Sequence, residues 1–204
     1  MESDAWRQVT SRRRLPASKD VAREHCTKFD VVGVFVASAR GDHGASSLIK
    51  VRPYTHFDNN AVAILIEEMQ QHYQVPCPPR DIILNSLSGL PAGVEILLAE
   101  AVSVIGFAMF STTYPGPGLK PGFFVKELFV SRSFRGGGAG SALMRAVARI
   151  AVHRGHPRVD WTADGDNARL LGFYENLGAL AQQQKVFFRL SGEALAALGA
   201  STQG

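Results

Sequence analysis

An α+β domain (α/β in the broad sense), with a mixed sheet and helices packed on it, is what this sequence predicts, and three observations carry the prediction. The apolar segments read in the order strand, two helices, a strand meander, then strand-helix-strand-helix-strand, an order that a mixed sheet accommodates. The chain is 46% hydrophobic and 20% charged over 204 residues, enough for one ordinary core and unlike disordered or fibrous compositions. One strongly apolar strand runs straight into a glycine cluster that opens an amphipathic helix, the arrangement of an anion-binding turn.

Taken in order, residues 1–46 are polar, basic and glycine-containing apart from an apolar patch at Val31 to Val36, and read as an N-terminal extension: a flexible arm or a non-native upstream start. Ser11-Arg12-Arg13 is remote from that patch, which argues against an export signal. The folded domain is expected over 47–204. Leu48, Ile49 and Val51 suggest its first strand, and Phe57 to Tyr73 sets Val62, Leu65, Ile66 and Met69 at helical spacing. Pro76, Pro78 and Pro79 stop that helix, because proline lacks the amide donor. A short helix follows from Asp81 to Leu87, and the turn-rich Ser88 to Gly93 separates it from a hairpin of strands at Glu95 to Glu100 and Ser103 to Thr112. Tyr114-Pro115-Gly116-Pro117-Gly118 is a shaped loop. Beyond it come a strand from Phe123 to Val130, a helix from Ser141 to His153 and a strand from Arg158 to Thr162. A helix from Ala168 to Leu177 and a last strand from Lys185 to Leu190 complete the domain.

The segment Arg135-Gly136-Gly137-Gly138-Ala139-Gly140-Ser141 carries the most chemistry. Consecutive small residues let the backbone bring its N–H groups close to an anion, and the helix N-terminus adds a favourable dipole, so the site suits a pyrophosphate. A dinucleotide fingerprint does not fit, since this unit lies late in the chain and Asp160 opens a strand instead of ending one. A P-loop also fails, because no Gly-Lys-Ser or Gly-Lys-Thr follows.

The turn resembles the Arg/Gln-x-x-Gly-x-Gly/Ala signature of the GNAT N-acetyltransferase superfamily, met here by Arg135, Gly138 and Gly140. A second marker of that family, Asn followed by Phe-Tyr and Leu-Gly-Ala, is matched by Asn167, Phe173-Tyr174 and Leu177-Gly178-Ala179. The resemblance covers roughly Val51 to Leu190. It implies a mostly antiparallel sheet splayed between the family's fourth and fifth strands, and acetyl-CoA as co-substrate. The pyrophosphate would then lie on the amides of Arg135 to Ser141 and the pantetheine arm along Leu128, Phe129 and Val130, with Asn167 beside the cofactor. Tyr174 would protonate the departing thiolate, and Glu127 would take the amine proton. The strand and helix look most like the diamine, polyamine and thialysine acetyltransferase branch. Its two acidic strand positions are reduced here to Glu127, with Lys126 in the other place. Members of that branch are commonly dimers, so a homodimer is expected on resemblance.

An N-acetyltransferase acting on the primary amine of a small cationic molecule is therefore expected, with protein or peptide acetylation and a non-catalytic acyl-CoA sensor as alternatives. The acceptor pocket is expected from the first helix, where Glu67, Glu68, His72 and Tyr73 cluster, from the Tyr114 to Pro121 loop and from the C-terminal half. The net charge of +4 comes from scattered basic residues with one run, Arg12 to Arg14, so no nucleic-acid partner is expected. Apolar runs are far shorter than the roughly 20 residues a membrane helix needs. Cys26 and Cys77 show no metal-ligand spacing, so no metal is expected and a reducing cytoplasm is the default.

Overall fold

The structure is a computed structural model that describes residues 35–38 and 48–200, the first of these spans as backbone only. Arg12 to Arg14 and Cys26 lie outside the described residues. Six strands form one sheet in chain order: β1 (Phe35–Ser38), β2 (Leu48–Pro53), β3 (Val94–Glu100), β4 (Val104–Thr113), β5 (Gly122–Val130) and β6 (Val159–Trp161). All neighbours are antiparallel except β5 and β6, which are parallel. Meanders with short turns give the antiparallel part, whereas the parallel pair requires a crossover through a helix. β1 pairs with β2 from Phe35↔Val51 to Ser38↔Leu48, so the sheet reaches back into the segment read from sequence as an extension.

Both sheet faces are covered. Helices α1 (Asn59–Tyr73) and α2 (Arg80–Ser88) pack on one, where Val62, Leu65 and Met69 of α1 meet Ile83, Leu98, Phe107 and Phe129. Helix α3 (Ala139–His153) crosses the other, placing Leu143, Val147 and Ile150 against Val51, Leu97, Phe110 and Phe123. Pairing of Ala99↔Gly106 and Glu100↔Val104 leaves Ile105 as a bulge, which is why Ile105 and Phe107 face opposite cores. Gly106 is required by space, since a Cβ there would come within 2.7 Å of the Phe129 carbonyl oxygen.

The start of α1 is fixed by a polar knot. Arg52 donates to both oxygens of Asp58 at 2.8 and 2.9 Å, and to Glu100 at 2.6 Å. Asp58 also accepts from the Thr55 amide and hydroxyl at 2.8 and 2.9 Å. These bonds, Arg52's above all, outweigh burial and hold the Asp58 carboxyl at about 2, below its ordinary 3.8. A depressed acid stabilises the fold above its unfolded pKa, and that contribution is lost as pH falls from about 4 toward 2. Asp58→Asn should therefore cost about 2 kcal/mol in urea melts at neutral pH and little near pH 2. An equal loss at both pH values would show that the charge is not what matters.

Two late elements differ from expectation. The last strand does not form: Lys185 to Leu190 joins no ladder, and Val186, Phe187 and Phe188 stand exposed. An alternating apolar run becomes a strand only where it pairs with an edge, and this one pairs with no strand among the described residues. Helix α5 (Gly192–Ala200), built from Ala and Leu, was not anticipated. Helix α4 (Ala168–Glu175) is present and closes through Gly178 at φ +86, with Ala179 N–H donating to Tyr174 O at 3.2 Å.

Candidate active site

β5 and β6 pair only at Phe123↔Val159, Phe124↔Asp160 and Val125↔Trp161. From Lys126 onward β5 keeps its ladder with β4 as far as Val130↔Gly106 while β6 diverges, so the sheet is splayed and one edge of β5 lies open. Met109↔Glu127 followed by Phe110↔Val125 leaves Lys126 as a bulge residue. The bulge shifts the alternation of side chains. Val125 faces the α3 core, as do Leu128 and Val130, whereas Phe129 is buried on the α1 face and half-buried Glu127 shares that side. A carboxylate is thereby aimed at the α1 side of the cleft instead of into the α3 core.

At the end of this edge the chain makes a single 3-10 turn (Arg132–Phe134) and enters the glycine cluster. Gly136 and Gly138 have φ of +83 and +88, the left-handed region that glycine adopts without strain. A Cβ at either would meet nothing within 4 Å, so their requirement is conformational and the space around them is open. Gly138 caps α3, with no side-chain cap, and Ala142 N–H donates to its carbonyl at 2.9 Å. The amides of Ala139, Gly140 and Ser141 form the first turn of α3, at the positive end of its dipole. Gly137 sits close behind Phe134 O. Gly140 has a different task, because a Cβ there would approach Phe173 Cζ at 3.3 Å. It lets α3 and α4 pack together. Arg135 does not extend into the open space: its Nε donates to Val130 O at 3.0 Å and its guanidinium stacks 5.3 Å over the Phe129 ring.

Across the cleft, α4 carries Tyr174. Its ring lies 5.1 Å from Trp161 of β6 and 5.0 Å from Phe173. Burial, and then the nearby charge of Tyr73, push the Tyr174 phenol above its ordinary value of 10.0. The Tyr73 phenol, at the end of α1, is raised by burial and by the Glu127 charge, with Arg135 opposing. Tyr73 thus lies within electrostatic reach of Glu127, Arg135 and Tyr174. Asn167 has a structural task, since its Oδ1 caps α4 by accepting from Leu170 N–H at 3.0 Å.

The acceptor elements are only partly assembled as expected. Glu67 is clamped by Arg80 at 2.8 and 2.5 Å, and Glu68 accepts from the Arg132 amide at 2.7 Å, so both carboxylates are engaged within the chain. His72 lies beside Phe129, its ring 6.4 Å away, and Tyr73 follows it. The Tyr114 to Pro121 loop sits at the paired end of β5, its Gly116 against Arg158, and does not border the open edge. Trp161 was missed from sequence. An aromatic in the short strand after the α3 crossover was the available sign. Since Glu68 fastens α1 to the turn that enters the glycine cluster, Glu68→Ala should speed hydrogen exchange at the Arg132 amide and lower the melting temperature, while Glu68→Gln, which can still accept, stays near wild type. Exchange measured by NMR beside thermal melts checks this. An Arg132 amide equally protected in Glu68→Ala would show that this contact does not hold the turn.

Residues 61–179 match the family model described as the acetyltransferase (GNAT) family. An L-ornithine N5-acetyltransferase of Arabidopsis thaliana is 37% identical over 97 residues, 48% of this chain and 42% of that protein. A tyramine N-feruloyltransferase of Nicotiana tabacum is 31% identical over 96 residues, 47% of this chain and 42% of that one. The chain thus spans about two fifths of the length of these curated relatives. Among solved structures, an integron cassette protein from the mobile metagenome of V. cholerae superposes with a TM-score of 0.69 at 30% identity, over 78% of this chain and 100% of the other.

Proposed function

Because the chain belongs to the acetyltransferase (GNAT) family, we propose that it transfers an acetyl group from acetyl-CoA to a primary amine of a small cationic molecule, by direct attack in a ternary complex. The observation that carries this reading is the open edge of β5 leading into a helix N-terminus with no side-chain cap, with Tyr174 across the gap. The residues present fit acetyl-CoA. The left-handed Gly136 and Gly138 leave open space beside the first-turn amides of α3, where a pyrophosphate would sit. Leu128, Phe129 and Val130 offer a strand edge along which an amide-containing arm can lie. Arg135 would have to leave Val130 O for that arm to use the same carbonyl.

When bound, acetyl-CoA supplies an acetyl thioester whose carbonyl carbon takes the nitrogen and whose sulfur departs. Glu127 accepts the proton that the ammonium must lose before it attacks, directly or through water. The Val130 backbone amide, which the β4 ladder leaves facing the open edge while Phe129 pairs inward with Phe107, polarises the carbonyl oxygen. Tyr174 holds a proton at its hydroxyl and delivers it to the sulfur, and its raised pKa keeps that proton in place at neutral pH. The nitrogen loses two protons in all, one to Glu127 before attack and a second as the amide forms, which passes through solvent to restore Tyr174. CoA leaves as the thiol, Glu127 returns its proton to solvent, and no covalent enzyme intermediate is needed.

Ornithine and tyramine, named for the two plant relatives, are both primary amines, which supports the choice of acceptor class. Residues 47–204 would supply the catalytic domain. The exposed free thiol of Cys77 suits a reducing compartment such as the cytoplasm. The test is thiol release from acetyl-CoA across diamines, ornithine and lysine analogues, tyramine, aminoglycosides and peptides. Release above background with small cationic amines is expected. Binding of acetyl-CoA with no acceleration by any amine would instead make the chain a sensor, and acceleration by peptides alone would move the acceptor class.

A further inference from the structure

We infer that Lys126 selects the acceptor: its ammonium receives a carboxylate of the same molecule whose amine meets Glu127, so the cleft takes an amino acid with a side-chain amine and turns away a polyamine. The inference rests on the reading of this cleft as a site of amine acetylation. Although Lys126 is the bulge residue of β5, its Nζ lies 3.4 Å from Glu127 Oε1. An ammonium therefore stands on the α1 side of the cleft, directly beside the carboxylate that takes the amine proton. The two groups differ in depth. The Lys126 side chain is 65% exposed and that of Glu127 28%, so the cation stands at the mouth and the carboxylate further in. A molecule that answers both carries its reacting amine at the end of a short chain and keeps its carboxylate at the rim. With ordinary contacts of about 3 Å to each, those two groups lie at most about 9 Å apart, a span that a diamino acid of ornithine's or lysine's length covers.

The neighbouring carboxylates that could hold a second ammonium are already engaged. Glu67 is clamped by Arg80, and Glu68 accepts from the Arg132 amide. Arg135, stacked over Phe129 on this same face, adds another cation. A polyamine therefore brings its further charge up against Lys126, whereas a carboxylate in that place finds a partner. Selection of this kind comes as much from the cation refused as from the anion held. Because Lys126 stands in solvent, the discrimination is modest and weakens with salt.

L-Ornithine and 1,4-diaminobutane differ only in the carboxylate, and thiol release with this matched pair tests the inference. At low ionic strength kcat/KM for ornithine should exceed that for 1,4-diaminobutane about 10-fold or more, and the ratio should shrink at about 0.5 M salt. Lys126→Met should bring the ratio near one, and Lys126→Glu should reverse it. Movement of the two acceptors in opposite directions is the signature, since a lysine that merely steadied Glu127 would cost both alike. Calorimetric titration of the same compounds into the protein saturated with CoA should give the same order of affinity with no turnover involved. A preference for 1,4-diaminobutane in the unaltered chain overturns the inference, as does a ratio that neither substitution moves in protein melting like wild type. Should Lys126→Glu fail to fold, Lys126→Met and the salt dependence of the unaltered chain decide. If no amine accelerates thiol release, the acetyltransferase reading falls and this inference with it. Equal use of both acceptors leaves that reading standing and removes only the role of Lys126.

Discussion

Tyr174→Phe should lower turnover by about 10²-fold at saturating acetyl-CoA, with little change in melting temperature or acetyl-CoA affinity. The substitution keeps the ring that packs between Trp161 and Phe173, and removes only the hydroxyl. A phenol serves as an acid while it holds its proton. Burial raises the pKa of this one above 10.0, so its competence is complete at neutral pH and lost only as pH rises through the raised value. The wild-type turnover profile should accordingly show no alkaline fall from Tyr174 below about pH 10. Stopped-flow thiol release and thermal melts on the same preparations separate chemistry from packing. Turnover within twofold of wild type would remove Tyr174 from the mechanism and leave it a packing aromatic, whose removal as Tyr174→Ala would act through stability alone.

Gly138→Val should raise the acetyl-CoA dissociation constant at least tenfold, about 1.4 kcal/mol. The reason is backbone conformation. Gly138 holds φ at +88, where a β-branched residue is strained by roughly 1–2 kcal/mol, and relief of that strain re-aims the first-turn amides of α3. Gly140→Val is expected to fail differently. Its side chain would press on Phe173 from 3.3 Å and move α4, so stability and turnover should fall more than cofactor affinity. Titration calorimetry on both variants distinguishes the two modes. Unchanged affinity in folded Gly138→Val would show that the glycine turn does not hold the pyrophosphate.

The legible part of the fold was the part that local chemistry dictates. The glycine cluster after β5, the prolines after α1 and the Asn167 cap with the Gly178 stop each impose one backbone conformation, and each was found where expected. The splay of β5 from β6 came through resemblance to a family and then appeared in the register. What sequence left open depends on contacts between distant residues. Glu67 and Glu68 sit close enough on one helix to form an anionic patch, yet Arg80 and the Arg132 amide take them. No spacing rule anticipates a partner 64 residues away. The expected strand at Lys185 to Leu190 has the right alternation but joins no ladder among the described residues, and alternation alone does not decide whether a segment pairs.

The bulge at Lys126 makes the two halves of β5 independent in parity. Phe123 and Val125 face the α3 core, as do Leu128 and Val130, so odd positions point there before the bulge and even ones after it. The exposed Lys126 side chain takes no part in either core and reaches only the Glu127 carboxylate, at 3.4 Å, so the fold does not depend on which residue stands there. The number of residues is another matter. One more or one fewer between Val125 and Val130, with the β4 register held, would exchange inside for outside along half the strand. Glu127 would then face apolar packing, and Leu128 the cleft. This stretch should therefore tolerate changes of letter at position 126 far better than changes of length, a contrast that a library of single substitutions beside single-residue deletions would make visible.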